Sequence, residues 1–338
     1  MLKILVTGGA GLIGSNVVKR FASLGHEVHV ADNLWRGKLE NLYYNNNPII
    51  DLDSHFHQVD LRNYGDCLSV CKNIDVVIHL AASAEILIKT EQEEKYFQDN
   101  ISGLQEVLNF CVRNNVKKFI FASSASVYGD TGNKRINEKF KLQPKHYYGF
   151  TKYIGEKIIK SYLKINNVNY TILRFFNIFG PKSNAAVGTF LAQKLQNKKV
   201  TVFGDGRQMR DFLYVDDLCE AIFKILKNKK THNKIYNLGS GKPTSIREIC
   251  ELISEDKNDV IYLPKRNDDI DKSVANIKKI SRDINWRPKV SIRNGIYSIL
   301  EDDKLRLKKI KLLSSKKLSL LIKNFNKKIW KYLAMMDL

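Results

Sequence analysis

The chain has 338 residues, 43% of them hydrophobic, and a formal net charge of +21, which allows one large domain or two ordinary ones around a sizeable core. No run reaches the roughly 18 apolar residues of a membrane span, and no secretory leader pattern precedes the first apolar run, so a cytoplasmic protein is expected. Lysines are spread along the whole chain, so the charge reads as a solvated surface and not as a nucleic-acid footprint.

A buried-strand pattern over 2–7 is followed by a helical one from about 12 to 24 and a strand over Glu27–Asp32. Further strands are expected at 55–60, 75–80, Lys118–Ser124 and 170–176, with helices at about 91–113 and 148–164. This alternation predicts an α/β fold, a Rossmann-type doubly wound parallel sheet. After Pro181 the alternation loosens, and a smaller, partly interleaved C-terminal substrate domain is expected. The expected divisions are 1–177, 178–300 and a tail over 301–338, with 234–238 returning to the main sheet. In such sheets ligands bind beyond the carboxyl ends of the strands.

The first strand runs into Thr7-Gly8-Gly9-Ala10-Gly11-Leu12-Ile13-Gly14. Glycines permit a tight turn and close approach to a pyrophosphate, and the helix that opens there offers free N–H groups. Asp32, at the end of the second strand, can accept hydrogen bonds from ribose hydroxyls and would repel a 2′-phosphate. NAD is therefore expected over NADP, with Gly8, Gly11, Leu12, Ile13, Gly14, Asp32 and Asn33 forming its seat; Arg36 nearby keeps NADP as the alternative. Asp60-Leu61 and Leu80-Ala81-Ala82 follow later strands at the same edge and are expected to line the cofactor.

Tyr148 and Lys152 stand four apart on a predicted helix, hence on one face. A lysine ammonium there favours phenolate and makes the tyrosine a candidate general base. Ser124 ends a strand at the same edge, where its hydroxyl can bond a reacting oxygen or simply cap the loop. The catalytic set is therefore Ser124, Tyr148 and Lys152. No metal site is expected. Cys67 and Cys71 lack a second Cys/His pair, and the cysteines read as reduced, half-buried thiols. His55 and His57 alternate with no ligand partner in view and are expected to be structural or exposed.

Taken in order, Thr7 to Gly14, Asp32-Asn-Leu34, Asp60-Leu61, His79-Leu-Ala-Ala82, Asn100, Ser124, Tyr148/Lys152, Arg174-Phe-Phe-Asn177-Ile-Phe-Gly-Pro181, Gly204-Asp-Gly206, Arg210-Asp-Phe212, Asn237-Leu-Gly-Ser-Gly241 and Trp286-Arg-Pro288 resemble the NAD-dependent epimerase/dehydratase family. This is the extended short-chain dehydrogenase/reductase group, and the resemblance runs from residue 2 to about 300. It implies NAD, with Asn100, Tyr148 and Lys152 also touching it, and a sugar-nucleotide substrate. It further implies that Ser124, Asn177, Arg210, Arg266 and Asp269 hold that substrate; arginine suits a diphosphate through bidentate charge-assisted bonds. Asp268 stands where the family usually has Gly.

Dehydratases of the family resemble one another in carrying Thr-Asp-Glu after the fifth strand, and a decarboxylase usually carries a Glu close by. Here the segment reads Ser124-Ala125-Ser126, most similar to UDP-glucose 4-epimerases. The resemblance thus implies a 4-epimerase acting by transient oxidation at C4. A reductase, dehydrogenase, dehydratase or decarboxylase on the same fold is the alternative, and a non-enzymatic NAD-binding protein a more distant one. A homodimer is expected, without nucleic acid. The tail carries Leu318, Leu321, Phe325, Ile329, Tyr332 and Leu333 at helical spacing among lysines. It reads as a packing or oligomerisation helix, with weak contact to an anionic membrane surface as the alternative.

Overall fold

The computed structural model describes residues 1–63, 72–85, 90–181, 183, 186–196, 198–254, 259–266 and 269–301. Residues 1–292 form one compact unit. A second unit begins at Arg293, and its described residues, 293–301, are helical. No helix among the described residues is long and apolar enough to cross a membrane. Cys67, Cys71 and the tail beyond Glu301 lie outside the described residues, whereas Cys111, Cys219 and Cys250 are buried and stand outside any disulfide.

In chain order the first half contains β1 (Lys3–Thr7), α1 (Leu12–Ser23), β2 (Glu27–Asp32), the hairpin strands β3 (Tyr43–Tyr44) and β4 (Asn47–Pro48), α2 (Leu52–His55), β5 (Phe56–Gln58) and β6 (Val76–His79). It continues with α3 (Glu93–Phe97), α4 (Gly103–Arg113), β7 (Lys118–Ser124), α5 (Tyr147–Ile165) and β8 (Asn169–Phe175). The second half adds β9 (Asn177–Phe179), α6 (Ala186–Leu195), β10 (Val200–Phe203), β11 (Met209–Tyr214), α7 (Val215–Lys227) and β12 (Lys234–Leu238). It closes with β13 (Pro243–Ser245), α8 (Ile246–Ile253), β14 (Val260–Leu263), β15 (Lys272–Ser273) and α9 (Lys278–Ile284).

Seven strands form the main sheet in the order β12-β8-β7-β6-β1-β2-β5. Every pairing in it is parallel. Strand residues alternate between faces, so each strand feeds two cores. Ile4, Val6, Val30, Val76 and Ile120 pack with Val17 and Phe21 of α1 and Leu218 and Ile222 of α7. Leu5, Val77, Phe119 and Phe121 pack with Leu104, Val107 and Leu108 of α4 and Ile159 and Leu163 of α5. Helices on both faces make this a doubly wound Rossmann-type sheet. The late strand β12 pairs with β8 from Lys234↔Thr171 to Leu238↔Phe175, which interleaves the two halves of the chain. A smaller sheet places β11 between β13 and β15, with β9 also paired to β11.

Two expected elements differ. The helix expected over 91–113 is α3 and α4 joined by a π-helical turn, Gln98–Ser102. The strand expected at 55–60 is only Phe56–Gln58, because α2 claims His55 after Asp51 caps it through the Asp53 N–H.

Candidate active site

Parallel strands deliver Thr7, Asp32, His79, Ser124 and Phe175 to one edge of the sheet. Two clefts open there. The first is lined by Gly8, Gly11, Asp32, Asn33, Asp60, Leu61, Leu80, Ala81 and Ala82, together with Arg36, Arg62, Ser83 and Asp99. Gly8 has φ +69°, and a Cβ there would lie 2.7 Å from the Ala81 nitrogen. A Cβ on Gly14 would lie 2.1 Å from the Gly8 carbonyl oxygen. The turn therefore accepts no side chain at either position. Gly11 is the N-cap of α1 and offers no side-chain cap, so Leu12, Ile13 and Gly14 present their N–H groups in the first turn.

Asp32 is buried and accepts the Leu34 N–H at 2.8 Å and the Ala10 N–H at 3.0 Å. Burial pushes its carboxyl pKa up, and these two N–H groups oppose the shift. Asp60 is gripped by Arg62 at 2.5–3.1 Å, which holds its pKa low. Arg36 pairs with Glu85 at 3.3 Å. Asn100 does not line this cleft. It donates to the Ser83 carbonyl at 2.9 Å and to Thr151 Oγ1 at 3.0 Å, and accepts the Ser83 N–H at 2.8 Å. It braces Ser83, which does line the cleft.

The second cleft is lined by Ser124, Ser126, His146, Tyr148, Asn177, Arg210, Arg266 and Asp269, with Phe175 and Phe176. Ser124 Oγ accepts the Ser126 N–H at 3.1 Å and donates to Ser126 Oγ at 3.1 Å. The loop-capping reading of Ser124 is thus realised in its contacts, and its side chain shares the cleft wall with Tyr148. Lys152 Nζ lies 5.9 Å from the centroid of the Tyr148 ring and 4.9 Å from that of Phe121.

Burial, and not the neighbouring lysine, sets the direction of the Tyr148 shift. Burial pushes the Tyr148 phenol up to about 12, against the Ser124 hydrogen bond, with Tyr96 adding to the rise. Burial also pushes Lys152 down to about 7. Each group alone resists carrying charge. The phenolate–ammonium pair is the charged state in which each offsets the other's desolvation.

Arg210 pairs with Asp269, and its Nη1 donates to the Ile270 carbonyl at 2.5 Å and the Met209 carbonyl at 2.9 Å. Asn177 donates to the Asp211 carbonyl at 3.1 Å. Arg266 stacks on Phe203, 3.7 Å from the ring centroid. All three remain on the cleft wall. Asp211, beside Arg210, is buried. It accepts Ser240 N–H at 2.5 Å, Ser240 Oγ–H at 2.7 Å, Gly241 N–H at 2.9 Å and Ala275 N–H at 3.0 Å. It ties β11 to the loop after β12 and to the segment after β15.

A buried ion pair between Glu156 and Arg174 was not foreseen from the sequence. Glu156 follows Lys152 by one turn of α5 and is buried. It receives Arg174 Nε at 2.8 Å, Arg174 Nη2 at 2.6 Å and the Ser123 hydroxyl at 2.6 Å. Arg174 also donates to the Tyr128 hydroxyl at 2.8 Å, which donates to Asn237 at 2.6 Å. An arginine inside the apolar run of β8 was the available signal, since a buried charge requires a partner.

A cleft with a glycine cradle, an uncapped helix N-terminus and a buried acid thus lies beside a second cleft that carries Ser124, Tyr148 and two arginines. The profile of the NAD dependent epimerase/dehydratase family matches residues 4–239, and the chain belongs to that family. NAD is the cofactor of this family of enzymes, and the first cleft has the donors and the bare glycine surface it requires.

The chain is 32% identical over 313 residues to the UDP-glucose 4-epimerase of Lactobacillus helveticus, covering 85% of this chain and 92% of that one. It is 30% identical over 320 residues to UDP-glucuronic acid decarboxylase 1 of Arabidopsis thaliana, covering 90% and 71%. Its fold is similar to the UDP-glucose 4-epimerase of Thermotoga maritima, solved with UDP-glucose, at a TM-score of 0.83 and 30% identity, over 90% of this chain and all of that one.

Proposed function

We propose that the chain is a sugar-nucleotide 4-epimerase acting on a UDP-sugar. One observation carries this reading over the family's other reactions. Among the described residues lining the second cleft, the sole carboxylate is Asp269, and it is engaged by Arg210. Elimination of water or a decarboxylation step aided by an acid needs a carboxyl group free to move a proton beside the sugar. Ser124, Ala125 and Ser126 offer none.

Bound NAD supplies the reversible two-electron acceptor for C4. Tyr148, as phenolate, takes the proton of the C4 hydroxyl, and Lys152 keeps that charge tolerable inside the protein. Ser124 donates to the C4 oxygen and fixes its distance from Tyr148. Arg210 and Arg266 hold the diphosphate while the sugar turns, and Phe175 and Phe176 give the turning ring a wall without fixed hydrogen bonds. Tyr148 then returns its proton to the oxygen on the opposite configuration. Gly8, Gly14 and Asp32 retain the cofactor throughout, as a cycle with no net redox change requires.

The test is incubation with a panel of UDP-sugars, without added NADH, followed by NMR. The expected result is a C4 epimer with no net NADH. A 4-keto-6-deoxy sugar, a pentose or accumulating NADH would assign the chain to another reaction of the family.

A further inference from the structure

Away from both clefts, three Lewis bases converge at the amino end of β2. Glu27 and His29 alternate along that strand and therefore share a face. His55 arrives as the last residue of α2. Glu27 Oε1 lies 2.9 Å from His29 Nε2 and 3.7 Å from His55 Nε2. All three potential ligand atoms lie within 4.8 Å of one another. His29 is buried, and its partners are half-buried. The groups that face His55 stand on a different element, β2, which its own spacing with His57 does not report.

Ser54 donates its single hydroxyl proton to Asp51 at 2.6 Å. Its oxygen can then only accept, from His55 Nδ1–H at 3.4 Å. A neutral His55 so oriented has a bare Nε2 facing the Glu27 carboxylate. On the other side His29 Nδ1 lies 3.1 Å from His57 Nε2, with the two rings stacked 6° from parallel. When His29 donates this proton, its Nε2 is bare as well. Three acceptors then face one another, an arrangement that a cation between them resolves; in the other tautomer His29 Nε2–H donates to Glu27 Oε1 at 2.9 Å. Lys3 Nζ, 2.9 Å from Glu27 Oε1, serves one of the three.

We propose that Glu27, His29 and His55 form a binding site for a divalent transition metal of the zinc class, with His57 and Ser54 orienting the imidazoles and Lys3 competing for the carboxylate. Two imidazoles and a carboxylate suit zinc, cobalt, nickel or copper, not magnesium or calcium. Ligands at about 2.0–2.1 Å around a tetrahedral ion stand about 3.3 Å apart, and the observed 2.9 and 3.7 Å straddle that spacing. Water completes the fourth position. The ion ties β2 to α2 and β5. Val59, just beyond β5, donates to the Asp32 carbonyl at 3.2 Å and lines the dinucleotide cleft. The site therefore stiffens the wall that carries Asp60.

The test is titration of the full-length, tag-free protein with Co2+, followed by Zn2+ displacement. The expected result is one equivalent of Co2+ with visible ligand-field absorption and no thiolate charge-transfer band. His29→Ala and His55→Ala lose that absorption, and Ser54→Ala weakens binding about tenfold. Lys3→Met tightens it about tenfold, since a competing positive charge is removed. Absence of binding to the parent protein would overturn the site. So would absorption that persists in both histidine variants, a thiolate band pointing to cysteine ligands, or unchanged affinity in Lys3→Met.

Discussion

At Tyr148 the protein sets burial against function. A phenol pushed up to about 12 beside an amine pushed down to about 7 is a poor base unless the two groups ionise together. Tyr148→Phe is therefore expected to lower kcat about 100- to 10,000-fold, the usual worth of a positioned acid–base group. KM should change little, because the proposed nucleotide anchors, Arg210 and Arg266, stand elsewhere on the wall. Initial rates with the epimerised UDP-sugar measure both constants. A variant with parental kcat would remove Tyr148 from the chemistry. The i, i+4 spacing of Tyr148 and Lys152 is legible in sequence because helix geometry is local. The direction of their pKa shifts is not, because it depends on Phe121, Tyr96 and the sheet packed around them.

At the scale of elements, the turn between β1 and α1 is the part most fully written in the chain. Its glycines, its helix and the Glu27–Asp32 strand stand where the local pattern places them. Gly14→Ala puts a methyl group 2.1 Å from the Gly8 carbonyl oxygen, and the helix must move off the turn. The expected outcome is protein that is purified with much less NAD and melts at a lower temperature. Cofactor released on denaturation and a thermal scan report the two effects, and undiminished NAD content would show that the turn is not the seat.

The elements that escaped a sequence reading share a tertiary cause. Gln98 to Ser102 form a π turn inside a regular helical pattern, and its Asn100 turns inward to Ser83 and Thr151. His55 joins His29 only because α2 interrupts a strand pattern just before β5. Glu156 and Arg174 meet through two elements, and neither spacing nor composition pairs them in advance.

For the molecule as a whole, the return of β12 makes the two halves of the chain one folding unit. Glu156, Arg174, Tyr128 and Asn237 run a buried hydrogen-bond chain from α5 into that returning strand. Such a unit is sensitive to any buried group that must take up a proton, and His79 is the clearest case. It ends β6, is 2% exposed, meets Thr7 Oγ1 at 2.7 Å and stacks on Phe121. Burial, with Lys152 adding to it, pushes its pKa from 6.5 down to about 3. The unfolded chain therefore binds one more proton than the folded one between those values. Stability rises with pH in that window and falls as the solution is acidified from about pH 6.5 toward 3, by up to about 1.4 kcal/mol per pH unit from this residue. Above pH 6.5 both states hold a neutral His79 and its contribution is constant. Urea denaturation at successive pH values from 7 to 5 should show this loss. His79→Asn keeps a polar partner for Thr7 without a titrating ring, and its stability should decline less steeply, by about one proton. Equal slopes for the two proteins would mean that His79 reaches solvent protons without unfolding the sheet.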